Sequence, residues 1–570
     1  MITRTLLSLV ALAALPACTT AQPATEEITP IASAGAVTAA DPLAQEAGME
    51  MLRRGGSATD AAIAVMLALT VVEPQSSGIG GGGFYVRASA DGSVQTLDGR
   101  ETAPRGATPE WFLQEDGTPL SRSESVLSGL SVGVPGNIAL AAKAHEQHGK
   151  LEWAELFEPA IALARGGYKI NNRLFGFLER MPERVGKSAS GKALFYDSEG
   201  EPLAAGTLVR NEQLAQTLEL IASQGPSAFY NGALAGEIAQ TVADDTPREG
   251  AMTTYDIGSY TSFERPPVCG SYRGYKVCGM GPPSSGGVAV MQMLGQLERF
   301  DLAELGAENP VTWHLFLESQ RLAYADRGLY LADSDFVTVP VAGLVAPDYL
   351  AQRSELISAD ARASEVKAGT PTGAPQARAL GDELPERGTS HFSVAGPDGT
   401  LISYTSTIEG PFGSGLMAGG FYLNNELTDF SRSPERDGKL VANRVEGGKR
   451  PRSSMAPTVV FDPSGKPVLA IGAAGGGTIP VQTARGIIGV IDFGLSAEEA
   501  IALPFIMGFG DRVLIEKGTW MEEAQEAFKA LGHEELIVRE APLKAGAILR
   551  TEDGWDAARD PRIATGLIVP

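Results

Sequence analysis

The sequence predicts a mixed fold of helices and strands, of the α/β (α+β) class, and three observations support this. The chain has 570 residues, 43% of them hydrophobic, which is enough to bury one large core or two adjoining ones. Segments with helical periodicity and segments with strand periodicity alternate along the chain. No repeat of fixed period stands out. Helices and strands are therefore expected to be mixed throughout the fold.

The strongest helical pattern begins at Ser57. Ser57 and Asp60 are suited to cap a helix start, and residues 61–72 are apolar on every face before Pro74 ends the run. A helix that is apolar all round is expected to lie inside a core. Further helical patterns lie at 136–148, 151–165, 211–224, 286–299 and 309–327.

Strand patterns recur between these helices. They lie at 83–89, 94–98, 266–280, 390–395, 401–408, 456–461 and 467–472. Within one of them, Cys269 and Cys278 flank Arg273-Gly274, which would place the two cysteines opposite each other across a hairpin. The sequence leaves two outcomes open, a disulfide or two unpaired cysteines.

The charge and the first residues limit the partners and the compartment. Acidic residues outnumber basic ones, and the net charge of −23 argues against nucleic acid as a partner. Residues 1–18 have the order of a secretory signal, with Arg4 before an apolar run too short to span a bilayer. Cys18 ends a segment similar to a lipobox, so a lipid anchor and simple cleavage both remain possible. An exported, periplasmic protein without a transmembrane span is expected.

Neither a metal nor a cofactor is expected. The sequence has five histidines and no Cys/His cluster, and His145-Glu-Gln-His148 is one residue too short to place both imidazoles on one helix face as zinc requires. The glycines of residues 78–83 have the spacing of a dinucleotide-binding loop. Such a loop follows a strand and begins a helix, whereas here the order of the two elements is reversed.

One hairpin carries a candidate nucleophile. Residues 361–387 contain almost no large apolar side chains and are expected to be exposed, as a cleavable connection would need. A hairpin centred near residue 398 follows, and it places Thr389 opposite Thr407. Freed as an N-terminus, Thr389 would carry its own general base, because an α-amine titrates near neutral pH.

Ordered motifs along nearly all of the chain after residue 18 resemble those of the gamma-glutamyltransferase (glutathione hydrolase) family of N-terminal-nucleophile hydrolases. The matching stretches lie at residues 55–62, 72–82, 98–104, 282–287, 323–327, 388–392, 423–431, 449–455 and 472–477. The resemblance implies a four-layer αββα sandwich built jointly by a large subunit, residues 19–388, and a small subunit, residues 389–570.

The resemblance also implies the site. Thr389 is the nucleophile in self-cleavage at the Gly388–Thr389 bond and in attack on the γ-amide, and Thr407 orients it. The two oxyanion-hole donors are the backbone N–H groups of Gly475 and Gly476. The substrate α-carboxylate and α-ammonium are held by Arg100, Glu426, Asp429, Ser453 and Ser454.

Two departures from the family pattern are visible. Glu409 stands where the family has an asparagine near the α-ammonium, and the segment 431–449, where many members carry a lid, is short. The implied activity is transfer of γ-glutamyl groups from glutathione and its conjugates to water, amino acids or peptides, without cofactors. The alternative is a glutaryl or cephalosporin acylase of the same fold, whose substrates lack the α-ammonium.

Overall fold

Two six-stranded antiparallel sheets form the centre of the protein. The computed structural model describes residues 35–375, 378–383, 388–541 and 543–565. Sheet I has the strand order Ala36–Ala39, Ser390–Ala395, Leu401–Thr407, Gly82–Ala88, Val94–Asp98 and Phe263–Arg265. Sheet II has the strand order Gly554–Arg559, Lys544–Thr551, Pro467–Ala474, Thr458–Phe461, Tyr275–Gly279 and Val268–Tyr272.

The two sheets pack face to face. The Ser403 hydroxyl of sheet I donates to the carbonyl oxygen of Ile471 in sheet II at 2.9 Å and accepts from the Thr458 backbone N–H at 3.0 Å. His391 also lies between the sheets, so close to Gly472 that a Cβ built there would come within 2.4 Å of the imidazole. Both sheets contain strands from before and after Thr389, so the two parts of the chain build the sheets together.

Helices cover both outer faces. Around sheet I lie Pro42–Arg53, Ala58–Val72, Asn137–His148, Glu158–Gly166, Asn172–Arg180, Glu212–Gln224 and Ala233–Asp244. Around sheet II lie Gly286–Leu297, Pro310–Tyr330, Pro347–Ser354, Ile479–Ile491 and Ala497–Ala502. The result is the four-layer αββα sandwich, and the prediction of this fold is confirmed.

Shorter elements complete the chain. The remaining helices are Arg122–Val126, Pro182–Val185, Ala189–Phe195, Ser227–Tyr230, Thr254–Gly258, Leu302–Leu305, Val341–Leu344, Trp520–Glu523 and Gln525–Ala530. Ile506–Phe509, Arg512–Glu516 and Glu535–Arg539 form a three-stranded sheet, and short two-stranded ribbons pair Tyr168–Lys169 with Leu208–Val209, Met417–Ala418 with Phe421–Tyr422 and Glu435–Arg436 with Lys439–Leu440.

The buried helix predicted after Ser57 is present and carries both halves of a capping box. The Ser57 hydroxyl accepts from the Asp60 N–H, and the Asp60 carboxylate accepts from the Ser57 N–H. Every residue of Ala58–Val72 is buried, because the helix packs against sheet I on one side and other helices on the rest.

The sequence left two questions open, the state of the cysteine pair and the processing at Cys18, and the structure answers only the first. Cys269 and Cys278 are paired across their hairpin and form a disulfide. The predicted signal and Cys18 lie outside the described residues. Among the helices that the structure does describe, none is both long and apolar enough to cross a membrane.

Candidate active site

The candidate nucleophile lies at the edge of sheet I, immediately before the strand Ser390–Ala395. Ser390 pairs with Ser406 across the hairpin, so the chain brings Thr389 next to Thr407, as predicted. The Thr389 Oγ1 donates to Thr407 Oγ1 at 3.2 Å, and the same Thr407 oxygen accepts from the Glu409 N–H at 2.8 Å. The Thr407 hydroxyl is therefore held in place and fixes the direction of the Thr389 side chain.

The backbone around the predicted cleavage point is unusual. Thr389 has a φ of 139°, a conformation that β-branched residues rarely adopt and that costs on the order of 1–3 kcal/mol. A Cβ at Gly388 would lie 1.8 Å from the carbonyl oxygen of Glu409, so only glycine fits before Thr389. Cleavage at the predicted point would remove the group that defines this φ and would release the strain.

The glycines predicted to bind the oxyanion end a strand of sheet II. After Pro467–Ala474, Gly475 has a φ of 121° and Gly476 a φ of 58°, and a 3₁₀ turn then leads into the helix Ile479–Ile491. The first N–H groups of a helix have no partner inside it and suit a developing negative charge.

A cavity of about 830 Å³ connects these groups. Gly475, Gly477 and Thr389 line it, whereas Gly476 does not. The cavity is large enough for a small peptide. Its walls bring together residues from both sides of the predicted cleavage point.

The predicted substrate clamp forms a second, closed group. The Arg100 guanidinium donates to the carboxylates of Glu426 and Asp429, and also to the carbonyl oxygens of Pro451 at 3.1 Å and Arg452 at 3.0 Å. Only 1% of Arg100 is exposed. Burial lowers the pKa of Arg100, but the adjacent carboxylates of Glu426 and Asp429 more than offset this effect.

The other predicted binding residues lie around this clamp without reaching the cavity. The Ser453 hydroxyl accepts from the Met455 N–H at 3.1 Å, and the Ser454 hydroxyl accepts from Arg327. The Glu409 carboxylate accepts from the Asn425 side-chain amide. In the uncut chain, the structure therefore brings the predicted clamp residues together but keeps them sealed from the cavity.

A fourth acidic residue of this group, Glu101, was not identified from the sequence. Both of its carboxylate oxygens, and one of Glu426, are buried without a hydrogen-bond partner. Burial raises the pKa of Glu101 to about 7, and burial together with Glu101 and Glu409 raises the pKa of Glu426 well above its usual range. Glu101 directly follows Arg100 in the matching stretch at residues 98–104, and this position could have identified it as a member of the site.

Three charged residues near the candidate nucleophile were also not identified from the sequence: Arg173, Lys544 and Glu73. The Lys544 ammonium donates to the Glu73 carboxylate, to the Thr389 carbonyl oxygen at 3.2 Å and to the Ser390 hydroxyl at 3.0 Å. Burial lowers the pKa of Lys544 to about 8. Arg173 and Lys544 both line the cavity.

One group of potential metal ligands, His314, Glu318 and His533, is assembled by the fold away from these residues. The two imidazoles already share a hydrogen bond of 2.8 Å, and the Glu318 carboxylate pairs with Arg321. Burial lowers the pKa of His533 to about 3, and Arg321 and Arg362 add to this effect. Because these side chains already satisfy one another, we assign no metal to the group.

The αββα sandwich and a threonine at the start of a central strand define the class of N-terminal-nucleophile hydrolases. Residues 44–569 match the family model described as gamma-glutamyltranspeptidase, and the chain belongs to this family.

Relatives and solved structures agree with this assignment. The chain is 39% identical to the glutathione hydrolase proenzyme of Bacillus subtilis, over 83% of this chain and 80% of that protein. It is 36% identical to the glutathione hydrolase proenzyme of Escherichia coli, over 93% of this chain and 91% of that protein. The crystal structure of a cephalosporin acylase from Bacillus halodurans superposes with a TM-score of 0.80 at 26% identity, covering 93% of this chain and 94% of that one.

Proposed function

We propose that this protein is a self-cleaving γ-glutamyltransferase and glutathione hydrolase. The observation that carries the proposal is the Thr389 hydroxyl, which is aligned by Thr407 and lines the same cavity as Gly475. In the precursor, the Thr389 oxygen attacks the carbonyl carbon of Gly388, and the Gly388–Thr389 peptide bond breaks, which forms an ester and releases the α-amine of Thr389. Water then hydrolyses the ester to free the Thr389 hydroxyl and the Gly388 carboxylate. Residues 19–388 and 389–570 then remain together as large and small subunits, because both contribute strands to each sheet.

In the mature enzyme, the freed amine acts as the general base. It accepts the proton of the Thr389 hydroxyl as the oxygen attacks the γ-carbonyl carbon of the substrate. The N–H groups of Gly475 and Gly476 stabilise the tetrahedral oxyanion, each by about 3 kcal/mol. The proton passes to the leaving amine, and water or the amine of an amino acid or peptide resolves the γ-glutamyl ester. Neither a metal nor a cofactor takes part in these reaction steps.

Arg100 and its carboxylate neighbours form the site for the α-amino acid end of the substrate. The guanidinium fork binds the α-carboxylate, while Glu426, Asp429 and Glu409 attract the α-ammonium, and Ser453 and Ser454 add donors. The clamp is closed in the uncut chain, so cleavage and the departure of the preceding segment must open it. A cationic ammonium also relieves the repulsion among buried carboxylates that raises the pKa of Glu426.

The competing function is that of a glutaryl or cephalosporin acylase. The structural similarity to the cephalosporin acylase of Bacillus halodurans supports this alternative. The group of buried carboxylates that includes Glu101 and Glu426 favours the γ-glutamyl function, because a glutaryl group offers it no ammonium.

The deciding experiment compares γ-glutamyl-anilide with glutaryl-anilide. We expect a large advantage in the specificity constant for the γ-glutamyl substrate. An equal or reversed preference would favour the acylase.

We also propose that the protein is exported to the periplasm through residues 1–18. Lipid attachment at Cys18 and simple signal cleavage predict different masses for the mature large subunit, so intact-mass analysis of protein from membrane and soluble fractions separates them.

A further inference from the structure

Arg173 presents an unusual guanidinium to the cavity. It lies near the start of the helix Asn172–Arg180 and lines the cavity together with Thr389. Over the part of the chain that the structure describes, its guanidinium donates no hydrogen bond and forms no ion pair, and its buried Nε has no partner. Its one ring contact is with Phe177, which also lines the cavity, at 5.9 Å from the ring centroid.

A largely desolvated guanidinium without an acceptor is unfavourable, because the lost hydration is not replaced. Burial lowers the pKa of Arg173, and the carboxylates of Glu73 and Asp560 only partly offset this effect. An anion entering the cavity would supply the missing acceptor. The planar fork of arginine is suited to a carboxylate, whose two oxygens it can bind together.

The surroundings of Arg173 add to its positive charge. Lys544 lines the same cavity, and Glu73 is the carboxylate that accepts from it. Lys544 and Arg173 both lower the pKa of Glu73, so the two cations act on the same carboxylate. Basic side chains also outnumber acidic ones along the cavity walls, although the whole chain carries a net charge of −23. The positive charge is therefore a property of this site.

We propose that Arg173, supported by Lys544, forms a subsite for a carboxylate on the amine side of the scissile amide. This proposal rests on the proposed function and assigns residues to the amine side of its substrate. Arg173 would bind the free carboxylate of the leaving amine in a γ-glutamyl donor, and the carboxylate of an acceptor amine. Because Lys544 also contacts the Thr389 carbonyl oxygen, the subsite directly adjoins the nucleophile.

The test uses two donors with the same γ-glutamyl half, γ-glutamylglycine and γ-glutamylglycinamide, which differ only in the carboxylate. We expect the mature wild-type enzyme to prefer the first. Arg173→Gln should reduce the ratio of the two specificity constants about tenfold, mainly through KM, because the lost interaction is a charged hydrogen-bonded pair. Arg173→Lys should restore part of the ratio.

The control is Arg180→Gln, an exposed arginine at the end of the same helix, which should keep the wild-type ratio. An equal preference in the wild type, or a ratio unaltered by Arg173→Gln, would overturn the subsite while leaving the γ-glutamyl activity in place. If the wild type cleaves neither these donors nor γ-glutamyl-anilide, the proposed function fails as well. If Arg173→Gln does not fold, the Arg173→Lys ratio decides, and an unchanged value overturns the proposal.

Discussion

The nucleophile region and the clamp region differ in how complete they are before cleavage. Thr389 and Gly475 already line an open cavity, and the Thr389 hydroxyl is already aligned by Thr407. Arg100, in contrast, is saturated by Glu426 and Asp429 and has no access to the cavity. The uncut chain has thus assembled the part needed for self-cleavage, while the part proposed to recognise substrate is closed on itself.

From this difference we predict that maturation and substrate recognition depend on separate residues. A change in the nucleophile region should affect both reactions, whereas a change in the clamp should affect only the second. Four variants test this division, beginning with the one that should lose all activity.

Thr389→Ala should abolish both reactions, because self-cleavage and substrate attack use the same hydroxyl. Intact-mass analysis should find one uncut chain, whereas the wild type should yield a fragment that begins at Thr389. Hydrolysis of γ-glutamyl-anilide by the variant should be undetectable. An intact and fully active wild-type chain would refute the maturation step.

Gly475→Ala should reduce turnover about a hundredfold. An alanine would be strained at a φ of 121°, and its Cβ would lie 2.8 Å from the Thr478 hydroxyl oxygen. The backbone would have to shift, and this shift would displace an oxyanion donor worth about 3 kcal/mol. The measurement is kcat for γ-glutamyl-anilide. Gly477→Ala is the matched comparison, because a Cβ there meets nothing within 4 Å and should cost much less. Equal losses in the two variants would argue against a specific role for Gly475.

The nucleophile hairpin and the charged cavity wall differ in how much of their arrangement could be predicted from the sequence. The hairpin spacing was sufficient to predict that Thr389 faces Thr407, because strand register follows from a short turn. Arg173 and Lys544 could not be predicted in this way. One lies on a helix and the other on a distant strand, and only the packing of the layers brings them to one cavity. The roles assigned to the clamp residues stay predictions until substrates are tested.

Arg100→Lys should leave self-cleavage intact and reduce the specificity constant for γ-glutamyl-anilide about tenfold. Lysine keeps the charge but not the fork that binds both carboxylate oxygens. Fragment formation and steady-state kinetics measure the two effects separately.

Arg165→Lys is the control for this exchange, because Arg165 also pairs with two carboxylates, Glu212 and Glu219, but at the surface. It should alter neither reaction. A block of maturation in Arg100→Lys would contradict the division between the two regions.

Glu409→Gln should have the smallest effect, a narrowing of the preference for γ-glutamyl over glutaryl substrates by a few-fold. Glu409 is 4% exposed and helps to raise the pKa of Glu426, so its charge acts within the clamp. As the pH rises through about 7, the pKa of Glu101, more carboxylates ionise and attract the ammonium more strongly. The wild-type preference should therefore increase with pH.

Removing the Glu409 charge should shift this increase to lower pH, because Glu426 then ionises more easily. Specificity constants for both anilides, measured in the wild type and in Glu409→Gln from about pH 6 to about pH 9, test this. If the ratio and its pH dependence are identical in the two proteins, Glu409 has no part in recognition. Ammonium selection would then depend on Glu426 and Asp429, and the departure from the family asparagine would carry no consequence for specificity.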